Sequence, residues 1–95
     1  GNLEWSQDLG EMDWDDANKI CKEMGGRLPT RTELVDLFDN HYDEMKKMLD
    51  FPAGNDYWSA TTDSSYTQSA WNTHLGDGYT GSYSKTDTRQ VRCVR

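Results

Sequence analysis

The stretch Gly25-Gly26-Arg27-Leu28-Pro29-Thr30-Arg31-Thr32-Glu33 lies between two segments whose apolar residues recur at helical spacing. Glycine readily adopts the left-handed conformation that commonly ends a helix. Thr30, followed three residues later by Glu33, forms the capping-box pattern that satisfies free backbone N–H groups at the start of a helix. The stretch therefore predicts the end of one helix and the beginning of the next.

Each of the two flanking segments has one apolar face, as expected of helices that pack on a core. In the first segment, for which Asp13 is the expected N-cap, this face comprises Trp14, Ala17, Ile20, Cys21 and Met24. In the second, which is expected to end near Asn40, it comprises Leu34, Val35, Leu37 and Phe38. A weaker third helix is predicted over residues 42–49, before a loop at 50–55.

The second half of the chain differs in composition, because Ser, Thr, Tyr, Gly, Asn and Asp dominate it. Strands are predicted at residues 3–6, 57–61, 70–75, 81–84 and 90–95, with turns at 8–12 and 76–78. Helices followed by short strands indicate an α+β fold, with two or three N-terminal helices packed on a small antiparallel sheet. The length of 95 residues suits a single domain over residues 1–95.

The chain is acidic, with a formal net charge of -7. This charge argues against nucleic-acid binding, which needs clustered Lys and Arg. A basic edge formed by Lys85, Arg89, Arg92 and Arg95 is the one local exception considered, although alternation along a strand would divide these residues between two faces. The chain has no apolar run long enough to insert into a membrane and no signal peptide, and we interpret it as a domain excised from a larger protein.

Two cysteines, Cys21 and Cys93, are far apart in the chain. By themselves they leave open a disulfide or two buried thiols, and they are too few for a structural zinc site. A bridge between them would close a loop of about 70 residues and stabilise the domain by roughly 4 kcal/mol.

Several motifs occur in a fixed order along almost the whole chain: Trp14-Asp15-Asp16-Ala17, Cys21, Gly26-Arg27-Leu28-Pro29-Thr30, Glu33-Leu34, Tyr57-Trp58-Ser59-Ala60-Thr61 and Val91-Arg92-Cys93-Val94-Arg95. In this order they resemble a bacterial domain family of unknown function found at the C-termini of surface proteins, including the Legionella collagen-like adhesin. Fibrobacter paralogous domains end similarly. The family is similar in layout to C-type-lectin-like and formylglycine-generating-enzyme-like domains.

The resemblance implies a C-type-lectin-like fold with a disulfide between Cys21 and Cys93. A disulfide in turn implies an oxidising compartment, so the expected location is extracellular, at the cell surface or periplasmic. The sequence departs from calcium-dependent lectins, because it lacks a Glu-Pro-Asn loop and has Thr73 where their Trp-Asn-Asp motif has a carboxylate. No cofactor is expected. Calcium held by convergent loop residues is the alternative: Asp56, Asp63, Asn72, Asp77 and Asp87.

Catalysis is not expected, because no nucleophile elbow or Ser-His-Asp order accompanies His41 and His74. The segment from Asp63 to Asp87 instead has the composition of a binding loop, with aromatic side chains among small polar ones. Its candidate ligand-binding residues are Tyr66, Trp71, Asn72, His74, Asp77, Tyr79 and Tyr83. A Tyr- and Thr-rich sheet with polar turns would have the same composition.

These observations predict a noncatalytic recognition or adhesion domain that binds a glycan or protein ligand. One alternative is a structural end-cap of a surface or fibre protein, in which the domain forms a homotrimer. A further alternative is a variable protein of a phage or retroelement, whose loops are diversified by mutation.

Overall fold

The computed structural model describes residues 3–48 and 55–95. Its helices are α1 (Trp14–Glu23), α2 (Arg31–Asn40) and α3 (Tyr42–Lys46). Its strands are β1 (Glu11–Met12), β2 (Asp56–Thr62), β3 (Ser69–His74), β4 (Thr80–Ser84) and β5 (Arg89–Gln90). The predicted α+β class and the three helices are confirmed, while residues 49–54, which include most of the predicted loop, lie outside the described residues.

Helix α1 begins and ends as its sequence predicts. The side chain of Asp13 accepts a hydrogen bond of 2.9 Å from the backbone N–H of Asp16, which caps the helix. At the other end Gly25 has a φ of 79°, a conformation that glycine adopts without steric cost. The N–H of Gly26 then donates to the carbonyl of Cys21, so the chain leaves the helix in a defined direction.

The capping box of α2 is extended by an ion pair. The hydroxyl of Thr30 accepts from the N–H of Glu33, and the carboxylate of Glu33 accepts from the N–H of Thr30. Both oxygens of Glu33 also accept from Arg27, at 2.7 and 2.8 Å. The hydrogen bonds from Arg27, opposed by burial and helped by Thr30, lower the pKa of Glu33 to about 2.

We expect the substitution Glu33→Gln to lower the free energy of unfolding by about 1 kcal/mol at pH 7, since Arg27 is exposed and solvent screens the pair. Because the folded pKa is about 2 and the ordinary value is 4.5, this contribution is complete above pH 4.5 and disappears as the pH falls towards 2. Urea unfolding of both proteins at several pH values measures the difference. A difference that stays constant down to pH 2 would contradict this account.

The strands form one five-stranded sheet in the order β1-β5-β2-β3-β4. The pairs β2–β3, β3–β4 and β1–β5 are antiparallel, whereas β2 and β5 run parallel through Tyr57 and Gln90. The predicted antiparallel pairing is therefore confirmed for three of the four pairs, and β2–β5 is the exception. The chain leaves β4 at one edge of the sheet and enters β5 between β1 and β2, and this crossing sets the direction of β5.

Helices cover both faces of the sheet. Neighbouring residues of β2 point to opposite sides, and each side packs against a different set of helices. Trp58 packs with α1 in a cluster of buried residues: Ala17, Cys21, Leu28, Trp58, Ala70, Val91 and Cys93. Tyr57 packs with α2 and α3 in a second cluster: Leu34, Leu37, Met45, Tyr57 and Leu75. Trp14 lies at the margin of the first cluster, where its indole N–H donates to the carbonyl of Ser59 at 2.9 Å.

The two ends of the chain pair with each other less regularly than predicted. Of the strand predicted at residues 90–95, only Gln90 belongs to a strand, the two-residue β5, and Val94 makes isolated bridges to Trp5 and Arg27. The strand predicted at residues 3–6 is reduced to the bridge at Trp5, and Glu11–Met12 of the predicted turn is β1. The ladder is interrupted because the N–H of Cys93 donates to the hydroxyl of Ser6 instead of a backbone carbonyl.

The implied disulfide between Cys21 and Cys93 is confirmed. It joins α1 to the C-terminal segment across a sequence separation of 72, with a Cα–Cα distance of 5.3 Å. Both cysteines are buried within the first cluster. The bridge thus ties together two elements that the sheet alone would leave loosely connected. Among the described residues, no helix combines the length and apolar character needed to cross a bilayer.

Candidate functional site

The predicted binding segment occupies both ends of the sheet. The loop over 63–68 joins β2 to β3 at one end, and the turn over 75–79 joins β3 to β4 at the other. At about 3.3 Å per residue, β3 separates these ends by roughly 15–20 Å. The seven candidate residues therefore do not form a single patch.

Tyr66 lies at the first end, with 72% of its surface exposed. The loop that holds it is organised by Asp63, which accepts from the hydroxyl of Ser82 at 2.7 Å and from the N–H of Ser65 at 2.9 Å. The hydrogen bonds from Ser82 and then Ser65 lower the pKa of Asp63. Asp63 therefore shapes the loop, and Tyr66 projects from it away from the other candidates.

Trp71 lies on the face that α2 covers. Neighbouring residues of β3 face opposite sides of the sheet, since Thr73 pairs with Tyr57 of the second cluster while Asn72 pairs with Trp58 of the first. The guanidinium carbon of Arg31 stands 4.6 Å from the centroid of the Trp71 ring, a cation–π contact. Trp71 is thereby placed on the opposite face from Asn72.

The turn at the second end presents Tyr79. The Nδ1 atom of His74 accepts from the N–H groups of Gly76 and Asp77, each at 3.2 Å, and the carboxylate of Asp77 accepts from the N–H of Tyr79 at 2.9 Å. The same Nδ1 lies 3.1 Å from a carboxylate oxygen of Asp77, so it pairs with that group only when protonated. Tyr79 remains 63% exposed on this ordered turn.

Gly78 allows the turn to approach α2 closely. Its φ is 81°, a conformation that favours glycine. A Cβ at this position would also lie 2.7 Å from the ring of Phe38. The turn consequently rests directly on α2.

Asn72 lies beneath the surface on the face that carries Trp58. Only 1% of the residue is exposed, and neither Oδ1 nor Nδ2 of its side chain has a hydrogen-bond partner among the described residues. More than nine in ten buried polar groups in proteins have a partner, so an exception calls for an explanation. Asn72 is paired across the sheet with Trp58 on one side and Gly81 on the other.

Gly81 allows two tyrosine rings to cover this part of the sheet. A Cβ at Gly81 would lie 2.7 Å from a ring carbon of Tyr83 and 3.1 Å from a ring carbon of Tyr79. Such a Cβ would project on the same face as the side chain of Asn72, because residues paired across a sheet share a face. Asn72, Tyr79 and Tyr83 thus form one group, which we call the tyrosine-covered site, with His74 at its margin.

Arg89 connects this site with a polar cleft at the same end of the sheet. Its guanidinium carbon stands 4.6 Å from the centroid of the Tyr83 ring, and its Nη1 donates to the carbonyl of Thr88 at 2.7 Å. The cleft has a volume of about 270 Å³. Its lining residues are Glu11, Asn55, Asp56, Thr88, Arg89 and Gln90.

Arg89 was not among the predicted site residues and was considered only as part of a basic edge. In the structure no such edge forms, because Lys85 stacks on Trp14, Arg95 pairs with Glu4 and Arg92 is buried. The available sequence signal was that Arg89 follows Tyr83 closely along the chain. The stacking of Arg89 on Tyr83, however, depends on the path by which the chain crosses from β4 to β5.

The loop acids proposed as calcium ligands are distributed over both ends of the sheet. Asp63 belongs to the loop with Tyr66, whereas Asp56 and Asp77 lie at the end with Tyr79. Within the described ranges, no three His, Cys, Asp or Glu side chains are placed to hold a metal ion together.

Comparison with known proteins identifies one family. The model of the Lcl C-terminal domain matches residues 1–95. None of the curated proteins matches the chain.

Proposed function

Because the chain belongs to the Lcl C-terminal domain family, we propose that it is a noncatalytic recognition domain that binds a glycan or protein ligand through the tyrosine-covered site. The observation that carries the proposal is the buried amide of Asn72, which has no partner among the described residues. Asn72 is paired across the sheet with Gly81, against which the rings of Tyr79 and Tyr83 pack. A polar group buried without a partner destabilises the fold. We expect this loss of stability at a position where the side chain binds a ligand.

The surroundings of the site support recognition over catalysis. Tyrosine offers a large, rigid and amphipathic contact area at low cost in conformational entropy. His74, the imidazole at the margin of the site, accepts two backbone hydrogen bonds within its own turn, so its Nδ1 already has a structural role. The other histidine, His41, bridges Asp36 and Glu44 on the helical side of the molecule.

We also propose that the domain works outside the cytoplasm, in an extracellular, cell-surface or periplasmic setting. The buried disulfide supports this location, because structural disulfides are rare where the glutathione pool keeps thiols reduced.

The substitution Tyr79→Ala is expected to weaken ligand binding at least tenfold, since an exposed aromatic ring that anchors a ligand contributes about 1.4 kcal/mol or more. Tyr66→Ala is the matched control, because Tyr66 is similarly exposed at the opposite end of the sheet. The measurement is binding to a printed array of glycans and extracellular-matrix proteins, with and without a calcium chelator.

Both variants should unfold at nearly the wild-type midpoint. Equal loss of signal in the two variants would contradict the assignment of the site, and so would a loss in Tyr66→Ala alone. A wild-type domain that binds nothing on the array would count against a recognition function for this face.

A further inference from the structure

The chemistry of the tyrosine-covered site restricts the ligand that it fits, if the proposed recognition function holds. A carboxamide has an acceptor oxygen and a donor NH₂ side by side. Its natural complement is a group that also offers one donor and one acceptor next to each other. Asn72 provides both atoms without partners among the described residues, so it would form two hydrogen bonds with such a group.

The charges around the site disfavour an anionic ligand. Asp56 is paired across the sheet with His74, and Asp77 lies in the turn that holds Tyr79. The cation of Arg89 stacks on Tyr83, its Nη1 donates to the Thr88 carbonyl, and Nη2 lies 3.7 Å from Asp87. The stacking and these two nitrogens already engage most of the guanidinium, although Nε has no hydrogen-bond partner among the described residues. An anion that approached this nitrogen would also meet the carboxylates of Asp56 and Asp77.

The covering rings supply the apolar part of the site. Tyr83 packs against the first cluster and is held by Arg89, so it forms a fixed wall. Tyr79 touches the Gly81 position from the other side and is largely exposed. Exposed side chains change rotamer within nanoseconds, so the ring of Tyr79 can move away from Gly81, which is the residue paired with Asn72.

We infer that Asn72 is the specificity-determining residue of the site, and that it selects an uncharged sugar by pairing its amide with two adjacent hydroxyl groups. One hydroxyl donates to Oδ1 and the next accepts from Nδ2, while the C–H face of the sugar ring packs on Tyr79. Binding needs no metal ion, because protein atoms make all of these contacts.

The test compares the wild-type domain with Asn72→Leu on immobilised mannan, dextran and galactan, beside heparin and polygalacturonate as anionic polysaccharides. Leucine has a similar volume and removes both polar atoms, so retention on the neutral polysaccharide should fall at least tenfold. The midpoint of urea unfolding should rise, because the unpartnered amide is gone. A purely structural Asn72 would give the opposite shift in stability.

Thr73→Val is the matched control, since Thr73 is the neighbouring buried polar residue on the other face, where it bonds to Thr80. It should lower stability and leave retention unchanged. A second measurement needs no variant. The side-chain amide resonances of Asn72 should shift when the soluble sugar is added, while those of Asn18, which donates to Trp14, should not.

The outcomes separate this inference from the proposed function. Retention on anionic polysaccharides or matrix proteins alone, reduced by Tyr79→Ala, would leave the recognition function standing and overturn the neutral-sugar inference. Unchanged retention of Asn72→Leu, or a lower unfolding midpoint, would also overturn it. Absence of retention on every surface would overturn both.

Discussion

Replacing both cysteines, in Cys21→Ala/Cys93→Ala, should lower the free energy of unfolding by about 4 kcal/mol. The bridge spans a sequence separation of 72, so its loss frees most of the unfolded chain from a constraint. A domain of this size typically has a total stability of about 5–15 kcal/mol. The double variant should therefore be close to unfolded at physiological temperature.

Urea unfolding followed by far-ultraviolet circular dichroism measures this effect. Wild-type protein under a strong reductant is the control, because it loses the bond and keeps both sulfur atoms. It should unfold at a midpoint near that of the double variant. A loss below about 1 kcal/mol in both samples would mean that the sheet and the helices hold α1 without the bridge.

Truncating Trp58 to alanine should cost about 3–5 kcal/mol. Trp58 is fully buried between α1 and the sheet, and its indole N–H donates to the carbonyl of Met12 at 3.0 Å. The substitution leaves a large cavity and strands that carbonyl. The substitution therefore weakens the packing between β1, α1 and β2.

Trp71→Ala is the matched substitution on the neighbouring strand. Trp71 is only partly buried and stacks with Arg31 at the surface, so its truncation should cost about 1 kcal/mol. If Trp58→Ala does not fold, Trp58→Phe keeps most of the ring and should lose about 1–2 kcal/mol. Equal losses for Trp58→Phe and Trp71→Ala would contradict the distinction between core and surface.

The tyrosines of the binding segment differ in how closely they pack against the core, so they are not equally suitable for a test of the function. Tyr83 is part of the wall of the core and is held by Arg89, so its removal would disturb the fold as well as the surface. The turn that holds Tyr79 is fixed by hydrogen bonds from backbone N–H groups to the side chains of His74 and Asp77. These bonds do not involve the side chain of Tyr79. Tyr79 is therefore the residue whose substitution reports on binding with least effect on stability.

Local signals in the sequence were sufficient for the helices and for the cores they bury. The caps formed by Asp13 and by Thr30 with Glu33 join residues three positions apart, so the pattern that predicts a cap and the bonds that form it involve the same few residues. Resemblance to a known family supplied the pairing of Cys21 with Cys93. The family match over residues 1–95 confirms that resemblance.

Tertiary structure alone decided the arrangement of the sheet and the membership of the site. The parallel pairing of β2 with β5 and the contact of Arg89 with Tyr83 depend on where the chain crosses after β4, and no local pattern encodes that path. Alternation along a strand is enough to place Asn72 and Trp71 on opposite faces, but it does not indicate that Gly81 lets two tyrosine rings pack next to Asn72. Composition could mark residues 63–87 as suited to binding, whereas only the fold separated Tyr66 from Tyr79, because a strand between two loops places them at opposite ends of the sheet.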